Sequence, residues 1–358
     1  MKPYALFADV HFHKWNTFST INEDGLNSRF AGLLTEVRRG AAEVSKRGGN
    51  LLIFAGDLFH VRGSVSPSVL NPVMDMFKAL TYEGFEIVIL AGNHDLEGKN
   101  SDRIGSAVTA LEGVGCAVIN DSVDAWVDFD VAETKIMCLP WHESIDDLKK
   151  EIERRVAVYE ETLEDTDLIL HAPINGVISG LPENGLDPKW LESLPFKRIF
   201  AGHYHNHKAF SERVFSIGAL AHHTWSDVGA KAGFLIVTDS EVIWQSSNLP
   251  EFIDITEETD PDEIPLLVDR NYVRIKTACT NAAQIAEVRE QLEGYGALGV
   301  VIQTTKAPVL KREGGIAASV SAGASISTSV SEYVDSQSFN HSDDVKTAAL
   351  LILSKVAS

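Results

Sequence analysis

The chain has 358 residues, 44% of them hydrophobic, and a formal net charge of −20. This suits one large domain with an appendage and a proper buried core. The acidic balance speaks against a nucleic-acid binder, whose affinity rests largely on cationic contacts to phosphate. No stretch approaches the ~18–20 apolar residues of a membrane span, and Cys116, Cys138 and Cys279 lack paired spacing, so they read as core residues and not as a disulfide framework.

In chain order, residues 4–8 form a short apolar run that reads as a buried strand. Asp9-Val10-His11 follows and breaks the run, so it does not read as a signal peptide, and a cytoplasmic location is expected. Residues 27–46 predict an amphipathic helix, with Phe30, Leu33, Leu34 and Val37 at helical spacing. A second strand at 51–55 ends at Gly56-Asp57, a second helix is expected at 67–80, and a third strand at 86–91 ends at Gly92-Asn93-His94-Asp95. A strand at 134–139 and a charged helix at 145–163 lead to a strand at 168–170, followed by His171-Ala172-Pro173. The strand at 198–201 ends at Gly202-His203-Tyr204-His205, and 233–238 with 241–245 reads as a hairpin around Asp239-Ser240. His222-His223 could face a substrate cleft but reads by default as surface, and His13 as a solvated or supporting histidine.

Beyond the acidic stretch 257–263 the pattern is strand, helix, strand at 272–276, 282–292 and 299–303. Residues 314–331 are rich in Gly, Ala and Ser and read as a flexible tether with room for a weak strand. Ser342-Asp343-Asp344 starts a last helix, with Val345, Ala348, Ala349, Ile352 and Val356 on one face. The expected organisation is a catalytic domain at 1–255, an α+β cap at 256–310, and a linker with a partner-binding helix at 311–358.

Each polar phrase stands directly after an apolar strand. In α/β sheets ligands bind outside the carboxyl ends of the strands, so these groups would converge on one rim. Carboxylates and imidazoles suit divalent ions such as Mn²⁺, Zn²⁺ and Fe²⁺. Two such ions roughly 3.5–4 Å apart can clamp the attacking and leaving oxygens of a phosphoryl transfer. Asp57, on a Gly-flanked turn, is the natural bridge. Any one phrase alone has a bland reading as a turn or a surface histidine cluster; their order and context give them force.

The order D-x-H, G-D, G-N-H-D, H and G-H-x-H resembles the calcineurin-like metallophosphoesterase superfamily over about residues 1–250. The resemblance implies an α/β fold, a β-sandwich flanked by helices in α/β/β/α layers. It implies that Asp9, His11, Asp57 and His205 hold one metal, that Asp57, Asn93, His171 and His203 hold the other, and that His94 is the acid beside the leaving oxygen. Mn²⁺ is the favoured ion, with Mg²⁺, Fe²⁺ or Zn²⁺ as alternatives. Protein phosphatases of the superfamily usually carry G-D-x-V-D-R-G and G-N-H-E, whereas this chain has Gly56-Asp57-Leu58-Phe59-His60 and Gly92-Asn93-His94-Asp95. That is similar to the SbcD-type (meiotic-recombination-eleven-type) DNA repair nucleases, and it implies that His60 assists catalysis.

The partners implied are DNA, an SbcC-type ATPase subunit that the C-terminal helix would dock on, and a second copy of the chain. The superfamily often has a turn like Ser216-Ile217-Gly218 packed under the metals, although an ordinary strand-end turn reads the same way. Two other functions stay open: a small-molecule or cyclic-nucleotide phosphodiesterase of the same fold, and a metal-bound scaffold that only binds a partner.

Overall fold

A computed structural model of the chain describes residues 1–98, 105–120, 126–129, 134–256, 258–279, 281–304, 326–336 and 341–356. Among these residues three sheets form. The first has the order β12-β11-β1-β2-β3-β4. Its strands are β1 (Tyr4–Phe7), β2 (Leu51–Ala55), β3 (Glu86–Leu90), β4 (Ala117–Ile119), β11 (Gly233–Val237) and β12 (Val242–Ser246). The second has the order β5-β6-β7-β8-β10-β9. Its strands are β5 (Trp126–Phe129), β6 (Thr134–Leu139), β7 (Thr166–His171), β8 (Arg198–Gly202), β9 (Lys208–Ala209) and β10 (Val214–Ser216).

Strand alternation explains the layering. Along β1 and β2, Tyr4, Leu6, Leu51 and Ile53 face a core shared with Val88, Ile169 and Phe200, which belongs to both sheets. The alternate residues Ala5, Phe7, Leu52 and Phe54 face outward. They pack against Phe30, Leu33 and Val37 of α1 (Ser28–Ser45) and Val73 and Phe77 of α2 (Pro67–Tyr82). The outer face of the second sheet is covered in the same way by Leu148 and Ile152 of α3 (Ile145–Tyr159) and Leu191 of α4 (Pro188–Ser193). The result is the expected α/β/β/α sandwich. Strands buried on both faces must be apolar throughout, which is why they read as unbroken runs.

The third sheet, β13-β14-β15, is parallel: β13 (Phe252–Thr256), β14 (Tyr272–Thr277) and β15 (Gly299–Thr304). It buries Val273 and Val300 against Val268 of α5 (Ile264–Val268) and Leu292 of α6 (Ala282–Gly294). β13 lies across the boundary expected at 255/256 and supplies an edge strand that the pattern did not suggest. A second compact unit carries α7 (Ile326–Ser336) and α8 (Ser342–Val356). The start of α8 is as expected. The tether, in contrast, does not extend to Ser331, because residues 326–331 already belong to α7. The rest of the tether lies outside the described residues.

Cys116 and Cys138 are buried, whereas Cys279 is only half-buried, its thiol 3.1 Å from Gln284 Oε1 on α6. Away from the motif-bearing rim, the buried Asp167 carboxylate accepts from Tyr4 Oη (2.7 Å) and from Arg198 Nε and Nη2 (2.9 and 2.8 Å). Asp167→Ala would strand a buried guanidinium, at a cost of about 3–5 kcal/mol. Denaturant unfolding should show that loss, and an unchanged midpoint would mean that the network contributes nothing to stability.

Candidate metal centre

The parallel strands β1, β2 and β3 of one sheet and β7 and β8 of the other end at a common rim. Asp9 and His11 leave β1, Asp57 leaves β2, Asn93 leaves β3, His171 closes β7, and His203 and His205 leave β8. The β1 and β2 loops run side by side through Asp9 N–H to Gly56 O (3.1 Å), His11 N–H to Asp57 O (3.0 Å) and Phe12 N–H to Leu58 O (2.8 Å). Asp9, His11 and Asp57 have φ of 48°, 50° and 51°, and His203 has 111°. Such conformations cost about 1–3 kcal/mol each and persist where the surroundings over-determine them, commonly at functional sites. Gly56 and Gly92 are required for another reason. A Cβ on Gly56 would collide with the His171 ring, and one on Gly92 with Asp57.

All seven expected ligands converge. Potential donor atoms of Asp9, His11 and His205 lie within 4.8 Å of one another, as do those of Asp57, His171 and His203. Asp57 touches both sets: Oδ2 is 3.7 Å from His11 Nε2, and Oδ1 is 3.4 Å from His171 Nε2. Asn93 Oδ1 is 3.2 Å from His171 Nε2 and 3.0 Å from His203 Nδ1. His11, His60 and His94 form a third group on the same criterion. His94 Nδ1–H donates to His60 O at 2.6 Å, and the two rings stack at 5.5 Å.

The electrostatics are those of a cation site. Asp9 is fully buried, with Oδ1 left without a hydrogen-bond partner among the described residues and Oδ2 accepting from His203 N–H (2.8 Å). An unsatisfied buried carboxylate oxygen is costly unless a cation or donor meets it. With carboxylate, imidazole and amide donors around it, the site fits divalent ions. Burial opposes the charge on Asp57, but His171, His11 and His94 outweigh it and hold the carboxyl well below its usual range. Burial likewise opposes a proton on His171, yet Asp57 and Asp9 push its pKa up to about 9. Burial and the nearby His171 hold His203 down to about 3. A cation held by His171 Nε2 would need that nitrogen deprotonated, so metal binding and protonation compete there.

Residues that the motifs did not single out support this set. His171 Nδ1–H donates to Ala55 O (2.7 Å), which turns Nε2 toward the centre. His205 Nδ1 is 2.8 Å from Asp227 Oδ1, whose other oxygen accepts from His223 N–H and Thr224 N–H. Asp95 accepts from the N–H groups of Leu58, Phe59 and Gly92, which ties the β2 and β3 loops together. Burial and Asp57 push its carboxyl up to about 7. Trp141 stacks on His203 at 5.1 Å.

His222 and His223 are not surface residues; each is only 3% exposed. His223 Nε2–H donates to Asp9 O (3.0 Å), and its ring lies 5.0 Å from His11. His222 instead ties Ala230 O to Phe252 N–H. β13 covers His222, and the Asp9 loop with Trp15 covers His223, contacts that a local reading cannot register. Asp227 had a faint signal, as the last residue of the capping box Thr224-x-x-Asp227. His13 packs against His60 and Trp15, outside the ligand groups. The Ser216–Gly218 turn does support the centre: Ser216 Oγ–H donates to Asn206 O, and Ala219 N–H to His205 O.

The model of the calcineurin-like phosphoesterase family matches residues 2–207. The chain belongs to this family. This phosphoesterase is 26% identical to exonuclease subunit 1 of Enterobacteria phage T4 over 168 residues, 46% of each chain. It thus spans about half the length of the curated relative it matches. Among solved structures it is similar to a dimetal phosphatase from Danio rerio, at 12% identity and TM-score 0.43, covering 69% of this chain and 99% of that one. It is also similar to the nuclease MPE of Pseudomonas putida, at 17% identity and TM-score 0.30, covering 68% and 87%. No helix among the described residues is long and apolar enough to cross a membrane.

Proposed function

We propose that this phosphoesterase is a dinuclear-metal nuclease of the SbcD type that hydrolyses phosphodiester bonds in DNA, with Mn²⁺ as the preferred ion. One ion is assigned to Asp9, His11, Asp57 and His205, the other to Asp57, Asn93, His171 and His203. The observation that carries the DNA reading is the third imidazole group. His60, three residues past Asp57, stands with His11 and His94 at the rim of the two ligand sets, where phosphatases of the superfamily carry an Asp-Arg pair. The exonuclease name of the phage relative supports the same reading. Lys14 and Arg62, exposed on the loops that follow His11 and His60, offer cations to a polyanion despite the acidic whole.

Two divalent ions bound here would polarise the phosphoryl oxygens and make a water nucleophilic at neutral pH. The chain's own residues do the rest. His94 keeps its Nδ1–H on His60 O, so the proton for the departing sugar oxygen comes from Nε2 of the doubly protonated ring. His60 steadies a phosphoryl oxygen; Trp15 and His13 pack its ring at 4.4 and 5.1 Å. Burial and the neighbouring His13 and His94 lower its pKa to about 4. It is therefore neutral at pH 7 with one N–H, and its Nδ1 lies 3.4 Å from His11 Nδ1.

The test is the purified chain with Mn²⁺ on linear DNA and on a small chromogenic phosphodiester. Chelator-sensitive DNA cleavage is expected. Cleavage of the small diester alone would favour the cyclic-nucleotide or small-molecule alternative, and inert protein with ions bound would favour a scaffold.

The tail carries a second part of the proposal. Lys346 on α8 pairs with Asp335 on α7 at 2.7 Å, and Val345 and Leu351 are exposed on α8. We assign this helical pair to docking on an SbcC-type ATPase, in a complex that holds two copies of the chain. Burying a few such side chains would contribute about 1.5–3 kcal/mol each before ordering costs. Removing residues 326–358 should leave hydrolysis of the small diester intact and abolish co-purification with such an ATPase. Retained association would refute the docking role.

A further inference from the structure

The loop after His11 does more than present a ligand. It lines, with Trp15 and Phe18, a cavity of about 350 Å³ that the metal ligands leave unused. Arg29 from α1, His223, Tyr272 of β14 and Leu298 just before β15 are among its other walls.

Beside aliphatic residues such as Leu33 and Leu249, the lining carries a set of rings and one guanidinium. Phe18 stacks on Tyr272 with centroids 5.0 Å apart and planes at 18°. Trp15 stacks on His223 at 5.2 Å and 19°. The Arg29 guanidinium lies 5.3 Å from the Trp15 ring and 5.3 Å from the Tyr272 ring. It is pinned there by donating to the carbonyls of Thr17 (3.2 Å), His222 (3.2 Å) and His223 (2.8 Å). Phe18 has φ of 57°, unusual for a bulky side chain, and its ring occupies the space where any residue but Gly299 would place a Cβ. The wall is thus held in place against backbone preference. The Trp15 indole N–H is buried with no hydrogen-bond partner among the described residues.

Trp15 and His223 serve both spaces. On one side they line the cavity; on the other Trp15 packs on His60 at 4.4 Å and His223 on His11 at 5.0 Å. We propose that the cavity receives one unstacked nucleobase of the DNA strand whose phosphate lies at the metal centre. Rings and a flat guanidinium suit the π-face of any base, so the site is tolerant of sequence. A base can enter only when it has left its stack, so the phosphoesterase should favour single-stranded or frayed ends over closed duplex.

This proposal rests on the nuclease reading, and the experiment separates the two. Wild-type protein with Mn²⁺ is given a single-stranded oligonucleotide, the same oligonucleotide with abasic nucleotides flanking the scissile bond, and the small chromogenic diester. Binding of both oligonucleotides to chelator-treated protein is measured in parallel by fluorescence anisotropy. Loss of one stacked base should weaken binding and kcat/KM by about 10–100-fold on the abasic strand. In Leu298→Trp, which fills the cavity mouth, and in Tyr272→Ala, the ratio between the two oligonucleotides should fall toward one, whatever the absolute rates. If wild-type protein binds and cleaves both strands equally, the base site is wrong and the nuclease reading stands. If only the chromogenic diester is hydrolysed, the nuclease reading fails and the base site falls with it.

Discussion

Asp57→Ala should lose both metal ions together and lower DNA hydrolysis by at least about 10³-fold, since the ions supply several kcal/mol of transition-state stabilisation. The expectation follows from position. Asp57 Oδ2 faces His11 and Oδ1 faces His171, so one carboxylate borders both ligand sets. The left-handed turn at Asp57 and the bare backbone of Gly92 allow that approach. Asp57→Asn keeps the shape and removes the charge, and should behave nearly as badly. The check is metal content after gel filtration beside the cleavage rate. Two ions still bound to the alanine variant would sink the bridging role.

His94→Asn should keep both ions and lose turnover, because its loss removes the proton donor and not a ligand. His60→Ala should lower the rate of DNA cleavage by roughly 10²–10⁴, the usual span for a positioned proton donor or acceptor. His94 is held by its own hydrogen bond to His60 O, which is a backbone atom and survives the substitution. The two effects can therefore be told apart: His60→Ala should retain turnover of a small diester with a good leaving group better than turnover of DNA. Metal analysis alongside steady-state rates decides both cases. Unchanged DNA cleavage by His60→Ala would remove the main support for the SbcD-type reading.

The apolar pattern located β1, β2, β3, β6, β7, β8, β11, β12, β14 and β15 but not β4, β5, β9, β10 or β13, and it put the seven candidate ligand residues at strand ends or in the loops that follow them. Each ligand follows directly on an apolar run, so local order alone puts it at a strand end, and β2 and β6 begin and end where the pattern says. The same locality set the limits. Residues 326–331 read as tether because Ser and Thr are weak helix formers alone, yet they form the first half of α7, which is paired to α8 by Asp335 and Lys346. His222 and His223 read as exposed because nothing near them in sequence buries them; the third sheet and the Asp9 loop do. Asp95 looked like the tail of a motif and is the carboxylate that joins two loops through three backbone N–H groups. Trp15 and Phe18 carry no motif; their role exists only once Tyr272, more than 250 residues later, closes the cavity beside them. The placement of the candidate ligand residues is legible in residue type and strand-end position. Second contacts, burial and cavities depend on which distant segments meet, and only tertiary packing decides that.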